Sequence, residues 1–459
     1  MDNLLTLVTN ANGFLGFILL FALCGTGLYF TIRLRFVQVR KFGESFRKTF
    51  GGIKFGAEAG KDGMSSFQSL ATAIAAQVGT GNLAGAATAI ATGGPGSIFW
   101  MWMSAFFGMS TIFAEATASQ KYKTTTEAGE VIGGPAYYIR EGIKGKAGIF
   151  LSKMFAVCII LALGFFGVMV QSNSIGDSFK TAFNFNPIIV GIAVAVVVMI
   201  IVLGGVKRIA SITEKMVPFM ALIYIVGSLV VIFANIANIP ETFRQIFVGA
   251  FNPSAVVGGA IGITVKNAVM YGVKRGLFSN EAGMGSTPHA HALAKVKHPC
   301  DQGTVAMMGV FIDTFVILTL TALVIISSGA LQYTADGATL NGIALTQAAF
   351  TSVFGNFGNI FIAICLLFFA LSTIIGWYFF GEINVKYLFG QKGTKIYAII
   401  ASIVIVLGGA LKVDLIWELS DFFNLLMVLP NLIGLLAVGG IVTKLLKEYE
   451  SDKTKLKPR

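Results

Sequence analysis

Between Ile188 and Val206 the chain carries no charged residue at all. An α-helix needs about 20 mostly apolar residues to cross roughly 30 Å of hydrocarbon. Comparable runs recur along the 459 residues, at 14–33, 65–92, 96–120, 150–176, 186–205, 212–238, 255–284, 303–330, 356–384, 395–411 and 415–442. A backbone inside lipid must satisfy its own polar groups, and runs of this length select helices. Composition agrees: 55% of residues are hydrophobic and 12% charged, where soluble chains carry about 25% charged residues. The same numbers exclude a soluble globular domain, a disordered chain, collagen, a coiled coil and a disulfide scaffold. The expected fold class is an all-α polytopic membrane protein of about eleven transmembrane helices. Cys24, Cys158 and Cys365 lie inside apolar runs and Cys300 in a basic loop, so no disulfide framework is implied. Met1 to Asn12 has no Lys or Arg, and the first run reads as a retained helix rather than a signal peptide.

Charge placement orients the map. On alternate loops lie 28 of the 34 Lys and Arg residues, in the stretches 33–61, 121–153, 207–215, 295–297, 386–395 and 444–459. The opposite loops hold Lys180, Arg244 and Lys412, and Lys266, Lys274 and Arg275 fall within 255–284. By the positive-inside rule the N-terminus is outside and the C-terminus cytoplasmic. The net charge of +12 therefore reads as topology signals and contacts to anionic membrane lipid, not as a nucleic-acid surface.

Two spans carry related stretches. Gln77-Val78-Gly79-Thr80-Gly81-Asn82-Leu83-Ala84-Gly85 lies in the second and Gly276-Leu277-Phe278-Ser279-Asn280-Glu281-Ala282-Gly283 in the seventh. Both contain Asn-x-Ala-Gly, five helices apart. Five is odd, so a second five-helix half enters the membrane inverted relative to the first. Inverted repeats with a glycine-interrupted helix at matching places mark secondary transporters, with substrate and ion near the midplane. The expected organisation is an extra N-terminal helix and cytoplasmic loop at 1–63, a first repeat at 64–240, a second at 241–443 and a cytoplasmic basic tail at 444–459.

Gly79-Thr80-Gly81 at mid-membrane weakens a continuous helix, because each Gly costs about 1 kcal/mol relative to Ala. Backbone freed there must line a cavity or find partners. Its N–H groups suit a carboxylate, and the carbonyls ending the preceding half-helix, from Ala75 to Val78, suit a sodium ion. A glycine-rich helix crossing is the plainer alternative, but the polar Gln77, Thr80 and Asn82 flank the glycines.

At these residues, and above all at Gly93-Gly94-Pro95-Gly96-Ser97-Ile98-Phe99-Trp100-Met101-Trp102-Met103-Ser104-Ala105-Phe106-Phe107-Gly108, the chain resembles the alanine or glycine:cation symporter family. Members are also known as sodium:alanine symporters. Ser97 departs from the small Gly or Ala expected there. Ala76 to Gly85 and Asn280 to His291 support the resemblance, which covers essentially the whole chain. It implies the leucine-transporter-type fold and symport of a small neutral amino acid, alanine or glycine, with Na+ as coupling ion and no organic cofactor. It further implies that the N–H groups of Thr80 and Gly81 receive the substrate carboxylate. The sodium site implied is the carbonyls of Ala75 and Val78 with the hydroxyls of Ser372 and Thr373. Trp377 stands where that fold places a pocket wall, so a small substrate side chain is expected. Phe165, Phe166, Met169 and Gln171 are further candidates for the pocket lining. Gln77 joins the candidate substrate residues, as do Tyr271 and Gly272 at the second break, for which Gly276 is an equal contender. A monomer is expected to suffice for function.

Two polar features remain. Asp313 sits ten residues into the eighth run, where a carboxylate costs about 2.5–3.5 kcal/mol by insertion scales. It either pairs with Lys266, Lys274 or Arg275 or serves an ion site. His289, His291, His298, Cys300 and Asp301 lack a metal-ligand spacing and read as a loop cap, with a metal site the lesser alternative. No nucleotide-phosphate loop is present. A channel would want a continuous polar path, and a membrane-embedded enzyme a clustered nucleophile or metal set; neither pattern is evident.

Overall fold

The computed structural model describes residues 2–51, 56, 63–253, 256, 264–332, 334–335, 338–409 and 413–451. Among the described residues, every expected apolar run falls on helix. The first is α1 (Asp2–Arg33), followed by the short α2 (Phe42–Phe50). The second run divides into α3 (Ser66–Gln77) and α4 (Ala86–Gly93), and α5 (Ser97–Lys121) is the third. A short α6 (Pro135–Gly142) precedes α7 (Lys146–Phe183), α8 (Pro187–Val202) and α9 (Gly205–Ala234). After α10 (Ile239–Gly249) come α11 (Val265–Asn280), α12 (Pro288–Ala292) and α13 (Pro299–Ser327). The last four are α14 (Gly342–Phe354), α15 (Phe357–Phe389), α16 (Gly393–Gly408) and α17 (Val413–Ser451). Among the described residues α1, α5, α7, α9, α13, α15 and α17 are long and apolar enough to cross a membrane, while α8, α14 and α16 are apolar but shorter. The start of the run 255–284, Lys412 and the tail beyond Ser451 lie outside the described residues.

Local chemistry sets the helix starts. Ser65 and Gln68 form a capping box at α3. Asn186 accepts the Ile188 N–H at 2.9 Å ahead of Pro187. His298 accepts the Cys300 N–H at 3.1 Å and Asp301 accepts the His298 N–H at 2.9 Å, which starts α13. Capping is thus the role the structure gives His298. The other two histidines sit apart from it. His289 Nδ1 lies 2.7 Å from the Ser286 carbonyl, and His291 Nδ1 lies 2.9 Å from Gln302 Nε2.

Small residues let the rods approach. α5 packs against α11 and α13, α7 against α15, α8 against α16 and α1 against α17. A Cβ at Gly272 would lie 2.5 Å from the Ser97 carbonyl oxygen, and one at Gly96 would overlap Gly249. In lipid, where apolar burial between helices drives little, such close approach supplies the attraction. The outward faces of α1, α8 and α9 expose Phe14, Ile189 and Leu222, as a hydrocarbon-facing belt requires.

Where α2, the start of α13 and the end of α17 meet, charges interlock. Lys48 Nζ is 2.8 Å from Glu44 Oε1 and 2.7 Å from Asp301 Oδ1, and Arg40 pairs with Glu450 at 2.8 Å. Tyr449 donates its hydroxyl to Glu44. Burial alone would raise the Glu44 carboxyl. The bonds from Lys48 and Tyr449 outweigh it and hold the group down at about 2.

Candidate functional site

The first break follows from where one N–H goes. The Val78 N–H still closes on the Ile74 carbonyl at 2.8 Å, but Val78 itself is extended, with φ −80° and ψ 94°. The next N–H, that of Gly79, turns instead to the Asn82 side-chain oxygen at 2.9 Å. Ala75, four residues back, thereby loses its helical donor. The Asn82 N–H reaches the Gly79 carbonyl at 3.3 Å rather than that of Val78. Two carbonyls are released, and Thr373 meets both: its Oγ1 lies 3.1 Å from Ala75 O and 3.4 Å from Val78 O, and 3.0 Å from Phe369 O on its own helix. One hydroxyl proton serves a single acceptor at a time, so this cluster is rich in oxygen lone pairs. Hard cations take oxygen ligands of this type, and the set fits Na+. Ser372 does not join it. Its hydroxyl bonds back to Phe369 O at 2.8 Å and faces Met220 Sδ at 3.6 Å, the local back-bonding open to any helical Ser.

Gly79 has no spare room. A Cβ there would run into Thr373 Oγ1 and come within 3.2 Å of Gln171 Oε1. Gln171 Oε1 accepts the Thr80 N–H at 3.2 Å. Next comes a π-helical turn, Gly81–Gly85, in which a Cβ at Gly81 would lie 2.9 Å from the Ser279 Cα. The first break therefore rests directly on the end of α11.

The second break is not at Gly272 or Gly276. α11 runs unbroken through both, because Gly272 is where α5 crosses and Gly276 lies 2.8 Å, by a built Cβ, from Ser104 Oγ. Tyr271 turns to an outer crevice of about 210 Å³ between α11, α1 and α17. The chain leaves the helix at Glu281, left-handed with φ 58°, and Gly283 and Gly285 follow at φ 86° and 82°. The break thus falls in the very Asn-Glu-Ala-Gly stretch that matches the first. Freed backbone there is satisfied by side chains. Glu115 Oε2 accepts the Gly283 N–H at 3.0 Å, and Asn431 Nδ2 donates to Gly283 O at 2.8 Å and to Glu115 Oε1 at 2.7 Å. Glu281 itself accepts from Ser286 Oγ and from Trp377 Nε1, each at 2.5 Å.

Three side chains tie the two breaks together. Gln77 Nε2 donates to the Asn280 carbonyl at 2.7 Å. Asp313, fully buried, accepts from Asn82 Nδ2 at 2.7 Å, from Ser279 Oγ at 3.0 Å and from Thr314 Oγ1 at 2.8 Å. The alternative of an ion pair for Asp313 is corrected: Lys274 and Arg275 pair with Asp421 instead, at 2.7 and 3.6 Å. The carboxylate lies in a π-helical stretch of α13, Phe311–Leu318, a distortion common at functional sites.

Trp377 is 1% exposed and meets Phe278 edge-on at 5.8 Å. Phe165 and Phe166 face elsewhere. Phe165 lies 5.8 Å from Tyr397 on α16, and Phe166 stacks on Phe423 of α17 at 5.3 Å. The α7 residue beneath the indole is Gly167, where a Cβ would lie 2.6 Å from Trp377 Cζ3. Glu115, Glu281, Gly167 and Asn431 were not among the sequence candidates. A glutamate inside a repeated Asn-x-Ala-Gly stretch was the one available signal.

Two interrupted helices meeting across a released-carbonyl cluster, inside an apolar bundle, define a secondary transporter. The sodium:alanine symporter family model matches residues 1–459, and the chain belongs to that family. It is a family of transporters, not of enzymes. The Methanococcus maripaludis sodium/alanine symporter AgcS is 42% identical over 98% of this chain and 99% of its own length. The Bacillus subtilis probable sodium/glutamine symporter GlnT is also 42% identical, over 95% and 88%. Among solved structures, MhsT in complex with L-phenylalanine superposes with a TM-score of 0.59 at 14% identity, over 81% of this chain and 87% of that one. That likeness is of fold, and the fold is the leucine-transporter type.

Proposed function

We propose that this chain imports a small neutral amino acid, alanine or glycine, by symport with Na+ through alternating access. One observation carries the ion half: Thr373 Oγ1 stands within 3.4 Å of the two carbonyls the broken helix has released. Those carbonyls close the C-terminal end of α3, where the helix dipole adds negative potential for a cation. The substrate half rests on the Thr80 N–H. Gln171 Oε1 occupies it at 3.2 Å as an acceptor, in the place a substrate carboxylate takes. Trp377, seated on Gly167 and against Phe278, is the wall that limits the substrate side chain to a hydrogen or a methyl group. The names of the relatives, a sodium/alanine and a sodium/glutamine symporter, support both the ion and an amino-acid substrate.

In this reading 64–240 and 241–443 are the inverted halves. The short helices α6 and α14, each between the second and third spans of its half, take matching places. The N-terminus lies outside and the C-terminus in the cytoplasm, and the chain acts as a monomer in lipid. The test is labelled-alanine binding to purified protein across sodium concentrations. Ion and substrate binding are linked, and coupling of this kind is worth roughly 5–150-fold. Thr373→Ala is expected to weaken alanine binding within that range and flatten its sodium dependence, while Ser372→Ala follows the parent protein. A Thr373→Ala protein with the parent's sodium dependence removes the ion site.

A further inference from the structure

A groove of about 400 Å³ runs along the outside of the bundle between α1 and α17. Ala22, Gly25, Thr26 and Tyr29 line it from one face of α1. The first three are small, which opens the trough, and a Cβ at Gly25 would meet nothing within 4 Å. Leu432 and Leu436 line it from α17. Its rims, Phe21 and Ile433, belong to the exposed apolar belt, so hydrocarbon covers this surface.

One end of the groove is basic. Arg33, the last residue of α1, stands one turn beyond Tyr29 with its guanidinium 5.4 Å from that ring. A Cβ at Gly440, one turn beyond Leu436, would lie 3.8 Å from Arg33 Nη2. Arg33 is exposed, its Nε donates to Thr443 Oγ1 at 3.1 Å, and no carboxylate pairs with it among the described residues. Arg40, in the interlocked cluster, differs in being neutralised by Glu450 at 2.8 Å. A guanidinium with donors to spare suits a phosphate, and basic pockets between membrane helices on the cytoplasmic side bind anionic headgroups. An apolar trough that ends at such a cation matches an anionic amphiphile.

The wall of the groove backs onto the second break. Leu432 lines the groove, and a Cβ at Gly283 would lie 3.7 Å from Leu432 Cδ2. Pro430 interrupts the hydrogen-bond ladder of α17 at the same level. Asn431, between the two, holds Gly283 O at 2.8 Å and Glu115 Oε1 at 2.7 Å.

We propose that this groove binds one anionic phospholipid of the cytoplasmic leaflet, its phosphate on Arg33 and an acyl chain along α1 and α17, and that its occupancy steadies the second break. The leaflet follows from the orientation proposed above.

The experiment follows thermal unfolding of the purified full-length chain in detergent against added phosphatidylglycerol or phosphatidylcholine with the same acyl chains. A lipid that binds the folded chain raises Tm with its concentration. The parent is expected to respond to phosphatidylglycerol at lower concentration than to phosphatidylcholine. Arg33→Gln is expected to need about fivefold more phosphatidylglycerol, the weight of one arginine near the membrane surface. Gly25→Phe fills the trough and is expected to lose the response, while Lys215→Gln, on α9 away from the groove, matches the parent. Arg33 and Gly25 are both exposed, so their variants keep the fold. A parent that responds to the two lipids alike, or either groove variant with the parent's response to phosphatidylglycerol, overturns the site. In phosphatidylglycerol vesicles, sodium-driven alanine uptake by Arg33→Gln is expected to fall to the parent's level in phosphatidylcholine. Equal parent uptake in the two lipids overturns the link to the second break. Absence of sodium-driven uptake in both overturns the symport reading and leaves the binding result standing.

Discussion

Gly167 and Trp377 show how one contact fixes a pocket dimension. A methyl at 167 meets the indole at 2.6 Å, and both groups are held: Gly167 by the π-helical stretch Ile160–Gly167, Trp377 by its bond to Glu281. Gly167→Ala must push the ring toward the first break. Overpacking of this kind costs about 1–3 kcal/mol, so a lowered Tm and weaker alanine binding are expected together. Trp377→Leu differs in direction. It opens space, so leucine and valine begin to compete with alanine, but it also strands Glu281 Oε1, at about 1–3 kcal/mol for a buried acceptor left unmade. Competition binding and thermal unfolding on both variants separate these effects. If Gly167→Ala binds alanine like the parent, or Trp377→Leu still excludes leucine, the wall lies elsewhere. Sequence pointed to Trp377 through resemblance. Gly167 stayed invisible because a glycine in so glycine-rich a chain announces nothing until its opposite number is known.

The unit of interest among elements is the junction of the π-helical turn Gly81–Gly85, α11 and α13 at Asp313. Its carboxylate is the common acceptor for Asn82 from the first break, Ser279 from the end of α11 and its own neighbour Thr314. Removing it takes the carboxylate acceptor from the Ser279 hydroxyl and leaves Asn82 Nδ2 with the Asp313 backbone carbonyl at 3.2 Å, a buried bond lost being worth about 1–3 kcal/mol. Asp313→Ala is therefore expected to lower Tm and cut sodium-driven alanine uptake at least as sharply as Thr373→Ala. Asp313→Asn keeps one acceptor oxygen and is expected to fall between. Unchanged uptake in Asp313→Ala would show that the breaks move independently of this joint. The helices themselves were legible, since length and apolarity are properties of a single segment. The first break was legible too, from two glycines flanked by polar residues. The second was misplaced to Gly272 or Gly276, because a glycine at a helix crossing and a glycine at a break are the same letter. Ser97 and Trp100, which make Gly272 a crossing, belong to another helix.

For the molecule as a whole, the interlocked end gathers stretches that the charge asymmetry assigns to one side. Arg40, Lys41, Lys48 and Glu44 of the first basic stretch meet Asp301, Tyr449 and Glu450, so three stretches predicted to share a side do come together at one end. Epitope tags at each terminus, probed on intact cells with an impermeant reagent, are expected to label only at the N-terminus. Labelling at the C-terminus alone would invert the map.

By itself the sequence determined that this chain lives in lipid, where its apolar segments run, where one helix must unwind and which family it resembles. Each of these is written in consecutive residues, because hydropathy, loop charge and glycine spacing act along the chain. Only the tertiary structure decided which of two adjacent hydroxyls, Thr373 and not Ser372, meets the released carbonyls. It alone gave Asp313 to Asn82 and Ser279 instead of to a cation, and put Glu281 against Trp377. The physical reason is common to all three. A buried polar group must find a partner, and the choice of partner depends on the rotation and depth of a different helix, set by packing of small residues across interfaces that no single segment encodes.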